Sequence, residues 1–209
     1  RAGIKEDENQ MLLKRLVECH ARLGQFQKAA ELLADVKAGG PEAYQVHLLN
    51  AEVQQGLGDI GKARAALDAA VKAAPTQPLT LYKRAQLNIA DEKYVRDAEQ
   101  DLSECLRLNA RFFPARQMLA NSYARQGNTD KMLALMSDGV KSDPTNEDAR
   151  ILLIRALQQR GRAEAASAFA KEASDETKGD VRWYSIAADL HRAQRDFSRE
   201  ANMLAKVWE

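Results

Sequence analysis

Cysteine is nearly missing from this chain. The two present, Cys19 and Cys105, are far apart and share no short metal-binding spacing, so a disulfide framework is not expected. Both are read as small buried hydrophobes. Proline and glycine are scarce, at 5 and 11 of 209 residues, and aromatics make up 6%. Val, Ile and Thr are not prominent, while Leu, Ala, Glu, Lys, Arg and Gln dominate, which favours helix throughout. Neither charge sign prevails: 31 basic and 30 acidic residues leave a formal +1. That balance argues against a dedicated nucleic-acid binder, which normally carries a basic face, and against a polybasic membrane-surface protein. No run of about eighteen apolar residues is present, so no membrane-spanning helix is expected. No charged-then-apolar leader opens the chain, and its start at Arg1 reads as a fragment of a longer protein. Catalytic signatures are missing too: no glycine-rich phosphate loop, no His-Glu-x-x-His, no nucleophile elbow and no Cys-x-x-Cys.

What the chain does contain is a period. A turn signal recurs at Gly24-Gln25-Phe26, Gly58-Asp59-Ile60, Gly127-Asn128-Thr129, Gly161-Arg162-Ala163 and Arg195-Asp196-Phe197, in steps of 34, 69, 34 and 34 residues. The long step is two periods plus one residue, and Asp91-Glu92-Lys93-Tyr94 fills the missing turn. Pro41, Pro75 and Pro144 keep the same phase. Glycine supplies the left-handed backbone that ends one helix. Asp, Asn or Thr beside it caps the next, and proline suits the first turn of the helix after that. Each period is therefore a helical hairpin.

The residues at fixed phase fit this reading. Leu16, Leu119 and Leu153 share one slot. Ala51, Ala85, Ala120 and Ala188 fill a small slot next to it. Ala29, Ala63, Ala98 and Ala166 share a second-helix slot, with Ala70 and Ala173 one step later and Leu33, Leu67, Leu102, Met136 and Leu204 between. Ala63, Ala66, Ala70 and Ala74 lie on one helix face, where small side chains let helices approach closely. In this the chain resembles the tetratricopeptide repeat family over nearly all of residues 10 to 209. Departures are Asn50 and Arg84 in the Leu slot, Val17 and Ile154 in the small slot, Gly139 for the later Ala, and Ala110 and Lys178 for Pro. The resemblance implies an all-α, right-handed superhelical solenoid of about six antiparallel helix-turn-helix repeats. As one domain, 1–209, it divides approximately into 10–43, 44–77, 78–112, 113–146, 147–180 and 181–209. Stability in such a stack is a sum of nearest-neighbour contacts.

His20 and His191 occupy the slot the family gives to Tyr or another aromatic, and His47 the slot given to Trp, so all three are expected to pack. They are too dispersed to ligate a metal, and no cofactor is expected. Phe112-Phe113-Pro114 reads as an inter-repeat turn whose aromatics staple the next helix, and Trp183-Tyr184 as core. Val207-Trp208 closes a helix with apolar residues, so further repeats are expected beyond Glu209.

The resemblance also implies a concave face lined by first helices. Carried across, that face holds Lys14, Glu18, Gln45, Leu48, Glu52, Gln55, Tyr82, Gln86, Ile89, Gln117, Asn121, Ile151, Arg155, Gln158, Arg182, Ser185, Asp189 and Arg192. The partner-binding set is taken as Lys14, Glu52, Tyr82, Gln86, Asn121, Arg125, Arg155, Gln158, Asp189 and Arg192. Arg125, Arg155, Arg182 and Arg192 make the C-terminal half more basic, which would steer an acidic peptide or an acidic polymer there. One subfamily clamps the C-terminal carboxylates of chaperones. Its pattern fails here, with Glu18 and Leu49 where Asn is needed and Leu79 beside the retained Lys83.

The function expected is a non-enzymatic scaffold for a protein or peptide partner. The resemblance to bacterial repeat proteins points to envelope assembly, such as exopolysaccharide export or pilus assembly, with a periplasmic or envelope setting favoured and the cytoplasm left open. The alternatives are a helical-repeat RNA binder, disfavoured by net charge and by few inner aromatics, and the regulatory domain of a larger enzyme.

Overall fold

The computed structural model describes residues 2–176 and 180–208. Among them are twelve α-helices and no strand. In order these are α1 (Ala2–Arg22), α2 (Phe26–Leu33), α3 (Ala43–Gly56), α4 (Ile60–Ala73), α5 (Pro78–Asn88), α6 (Val95–Leu108), α7 (Phe113–Arg125), α8 (Thr129–Ser142), α9 (Glu147–Gln159), α10 (Ala163–Glu176), α11 (Val181–Ala193) and α12 (Phe197–Ala205). A single 3-10 turn, Gly40–Glu42, precedes α3. The helices gather into two compact units, Arg1–Ala115 and Arg116–Glu209, the division falling within α7.

The turns follow from local chemistry. Gly24, Gly58, Gly127 and Gly161 adopt φ of 71°, 79°, 73° and 69°, the left-handed region that closes a helix. At the same phase Arg195 takes φ 59° with a side chain in place. Asp59 accepts the Lys62 amide at 3.0 Å and Asp196 the Arg199 amide at 3.1 Å, capping α4 and α12. The Lys62 backbone N–H, and then its ammonium, hold the Asp59 carboxyl below its usual pKa. The turn without glycine, at Asp91–Tyr94, closes through the Tyr94 amide on the Asp91 carbonyl and the Lys93 amide on the Asp91 carboxylate.

The core follows the repeat phase. In the small slot Val17, Ala51, Ala85, Ala120, Ile154 and Ala188 are all buried. Ala29, Ala63, Ala98 and Ala166 are fully buried, and so are Ala70, Cys105 and Ala173 one step later. Gly56 has no Cβ because one would run into the Phe26 ring. Gly139 makes room in the same way for the Arg116 side chain, which is buried and donates from Nη1 to the Leu135 carbonyl at 2.7 Å. Arg150, one period later than Arg116, is also buried, with Nε donating to the Pro144 carbonyl at 2.7 Å. Trp183 and Tyr184 are core, as expected. Phe112 and Phe113 are half-buried, and Phe112 packs on Tyr82 with ring centroids 5.2 Å apart.

Some expectations need correction. Cys19 is exposed, because it lies on the face of α1 opposite buried Val17 and Ala21. Leu16 and Leu204 are exposed where their counterparts Leu119, Leu153, Leu67 and Leu102 are buried, since no neighbouring hairpin covers the outer faces of α1 and α12 in the described structure. Lys178 lies outside the described residues.

Candidate partner groove

In the first unit the helices that open each hairpin, α1, α3 and α5, line a groove of about 380 Å³. Leu48 and Leu49 on α3, Leu67 on α4 and Leu79 on α5 form its apolar floor. Glu18 and Arg22 on α1, Glu52 on α3 and Lys83 on α5 bring charges of both signs to its walls, and Gln45, Gln55 and Gln86 add amides. Spacing explains the assembly. Glu18 and Arg22, and likewise Tyr44, Leu48 and Glu52, stand four apart and so share a helix face. Tyr44 is fixed where α3 meets the start of α5, accepting a hydrogen bond from Gln77 Nε2 at 3.3 Å. Hydrogen bonds with Gln45 and then Gln77 hold its phenol below the usual tyrosine pKa.

Of the residues expected to contact a partner in this unit, Glu52 and Gln86 line the groove. Lys14 does not. It faces a different hollow, with Glu6, Asp7 and Lys37, and reaches Glu42 at 3.5 Å. Tyr82 is half-buried and turned to Phe112, which removes it from the groove. Arg22 and Tyr44 were missed. Each lies one helical turn from an expected groove residue, Glu18 and Leu48, and that offset was the available signal.

A second hollow of the same unit, about 260 Å³, is a polar network. Arg84, in the Leu slot of α5, donates to both carboxylate oxygens of buried Asp101 at 2.8 and 2.7 Å and to Asp68 at 3.0 Å. Arg64 donates to Asn88 at 2.9 Å and lies over the Tyr94 ring at 3.8 Å. Hydrogen bonding to Asp101 raises the Arg84 pKa further above its usual value. These groups satisfy one another, so the network ties α4, α5 and α6 together.

In the second unit Asn121, Arg125, Arg155, Gln158, Asp189 and Arg192 are all exposed. The basic character expected there is partly cancelled. Arg192 pairs with Glu200 at 2.6 Å and Asp189 at 3.7 Å, and Arg182 with Asp180 at 2.5 Å and Glu147 at 2.8 Å. Glu200 occupies the slot held by alanine in other hairpins, which is why Arg192 turns to α12. Among the described residues, Arg125 and Arg155 enter no ion pair. Ser167 Oγ and His191 Nε2 stand 2.6 Å apart, yet both residues are buried, so the pair fixes the α10–α11 packing and offers no accessible nucleophile. Among the described residues no cluster of three or more His, Cys, Asp or Glu is placed to hold a metal, and no helix is long and apolar enough to cross a membrane.

The family described as tetratricopeptide repeat matches residues 133–190. Over that stretch the chain is a tetratricopeptide repeat. Solved structures with the same fold include one titled for PilF of Pseudomonas aeruginosa, at TM-score 0.65 and 14% identity, over 94% of this chain and 89% of that one. PilW, titled a widely conserved type IV pilus biogenesis factor, aligns at TM-score 0.58 and 14% identity, over 95% and 91%. A tetratricopeptide repeat protein of Parabacteroides merdae aligns at TM-score 0.57 and 22% identity, over 95% and 77%. No curated protein sequence matches the chain. Tetratricopeptide repeats are in general protein-binding scaffolds without catalytic activity of their own.

Proposed function

We propose that this chain is a non-catalytic scaffold whose first unit holds a segment of a protein partner in the groove between α1, α3 and α5. The observation that carries the reading is the groove itself: leucines on the floor, charges of both signs and amides on the walls. An apolar side chain of the partner would seat on Leu48 and Leu79. Glu52 and Lys83 would meet its opposite charges, and Gln45 and Gln86 its backbone. Asn121, Arg125, Arg155, Gln158 and Asp189 offer a further polar surface on the second unit. An acidic polymer would find Arg125 and Arg155 there, with Arg182 and Arg192 already neutralised by carboxylates.

The setting we infer is a bacterial envelope assembly, of the kind that exports exopolysaccharide or builds pili. Its support is the likeness in fold to PilF and PilW, an analogy of architecture.

The test is a photo-cross-linking residue at Gln55, followed by binding of the captured segment to the wild type and to Glu52→Arg/Lys83→Glu. Affinity about tenfold weaker or worse in the double variant is expected. Equal affinity moves the partner off the groove.

A further inference from the structure

Four charged side chains stand around the groove of the first unit: Glu18 and Arg22 on α1, Glu52 on α3 and Lys83 on α5. All four are exposed, and among the described residues none enters an ion pair. Elsewhere Arg64, Arg84, Arg182 and Arg192 are each taken up by a carboxylate of the chain itself. Open charges beside a leucine floor select what settles there, because a segment of opposite charge order gains and one of like order is repelled.

The repeat fixes that order. α1 packs on α3 and α3 on α5, and as the opening helices of successive hairpins the three run in the same direction. Glu18 and Glu52 are one period of 34 residues apart, so they hold the same height on neighbouring helices. Gln86, one period further on, is an amide, which confines the acidic pair to α1 and α3. Arg22 lies one turn above Glu18, and Lys83 shares the slot of Leu49, about one turn below Glu52. From α5 to α1 the charges therefore read positive, negative, negative, positive along an oblique line. Leu79, one turn before Lys83, and Leu48, one turn before Glu52, put the apolar floor at the Lys83 end. With packed helices about 8–10 Å apart and a rise of about 5.4 Å per turn, the line from Lys83 to Arg22 is about 20 Å long. Roughly six residues of polyproline II chain span it at about 3.1 Å each, and three residues per turn bring every third side chain to the same edge.

We propose that the occupant of the groove is an extended protein segment of the order acid, arginine, acid, at intervals of about three residues. Its arginine lies between Glu18 and Glu52. One acid meets Lys83, the other meets Arg22, and an apolar residue beside the first acid seats on Leu48 and Leu79. Arginine suits the middle because its planar fork carries donors on more than one edge and can face both carboxylates, whereas a lysine ammonium is a compact point charge. Such an occupant presupposes that the groove is the binding site, and adds the order of charge that fills it.

The test begins with random dodecapeptides displayed on phage and selected on the full chain, the survivors being sorted by whether Leu79→Asp abolishes their binding. Synthetic peptides of the sorted sequences are then titrated against the wild type, Glu18→Gln/Glu52→Gln and Glu18→Lys/Glu52→Lys, with circular dichroism as the folding control. Survivors sensitive to Leu79→Asp are expected to carry an arginine with acids about three residues to either side. They should bind Glu18→Gln/Glu52→Gln at least about tenfold more weakly. Exchanging that arginine for glutamate in the peptide should restore binding to Glu18→Lys/Glu52→Lys. Sensitive survivors without a basic residue, or equal affinity for Glu18→Gln/Glu52→Gln, overturn the charge order and leave the groove standing. Survivors that all ignore Leu79→Asp overturn the groove as the binding site, and this occupant with it.

Discussion

Arg195 shows how a single residue can depart from its repeat at a cost. Four hairpins turn on glycine at φ near 70°, and this one holds an arginine, with a Cβ and a long side chain, at φ 59°. A left-handed residue with a Cβ costs about 1–2 kcal/mol, and glycine gives part of that back as greater freedom in the unfolded chain. Arg195→Gly should therefore stabilise the second unit by about 0.5–1 kcal/mol, read as a higher urea midpoint with unchanged slope. The cysteines supply a second check at this scale. Burial, and then the nearby Asp101 carboxylate, push the Cys105 thiol up to about 11, while Cys19 is exposed. Ellman's reagent at pH 8 should titrate one thiol quickly in the native protein and the second only on unfolding. Two fast thiols would mean that the α6 core is open. The sequence placed both thiols inside because it weighed residue type alone. Only the direction of α1's free face distinguishes Cys19 from Cys105.

At the scale of the element, the hairpins were legible because their punctuation is local. A glycine that must adopt positive φ and an aspartate that caps its own helix both leave a mark in sequence at fixed spacing. The polar network of α4, α5 and α6 left a weaker mark. Arg84 was visible as a departure from leucine, but its partner Asp101 is seventeen residues away and on another helix, so nothing local announced the pair. Removing one partner strands a buried charge. Arg84→Leu should destabilise the first unit by about 3 kcal/mol, and Arg84→Leu with Asp101→Leu should recover most of that loss. A double-mutant cycle from urea unfolding measures the coupling. Single and double variants of equal stability would show the pair to be a surface ornament. The same distance effect hid the pairing of Arg192 with Glu200, because a carboxylate in an alanine slot shows up only when the slot is seen to face α11.

For the whole molecule, what could be read in advance was the repeat class and which helices open each hairpin. Of the residues expected on the concave face, Glu52 and Gln86 line the groove between α1, α3 and α5. Tyr82 packs on Phe112 and Lys14 reaches Glu42, so neither lines this groove. Phase assigns a face of a helix, and contacts between hairpins then decide which side chains on that face stay available. The account as a whole turns on the groove between α1, α3 and α5. Calorimetric titration tests it most directly, with the segment captured at Gln55, made as a synthetic peptide, injected into the wild type, Leu79→Asp and Arg155→Glu. The account predicts equal affinity for the wild type and Arg155→Glu, and a loss of about tenfold or more for Leu79→Asp. Unchanged binding by Leu79→Asp would contradict it.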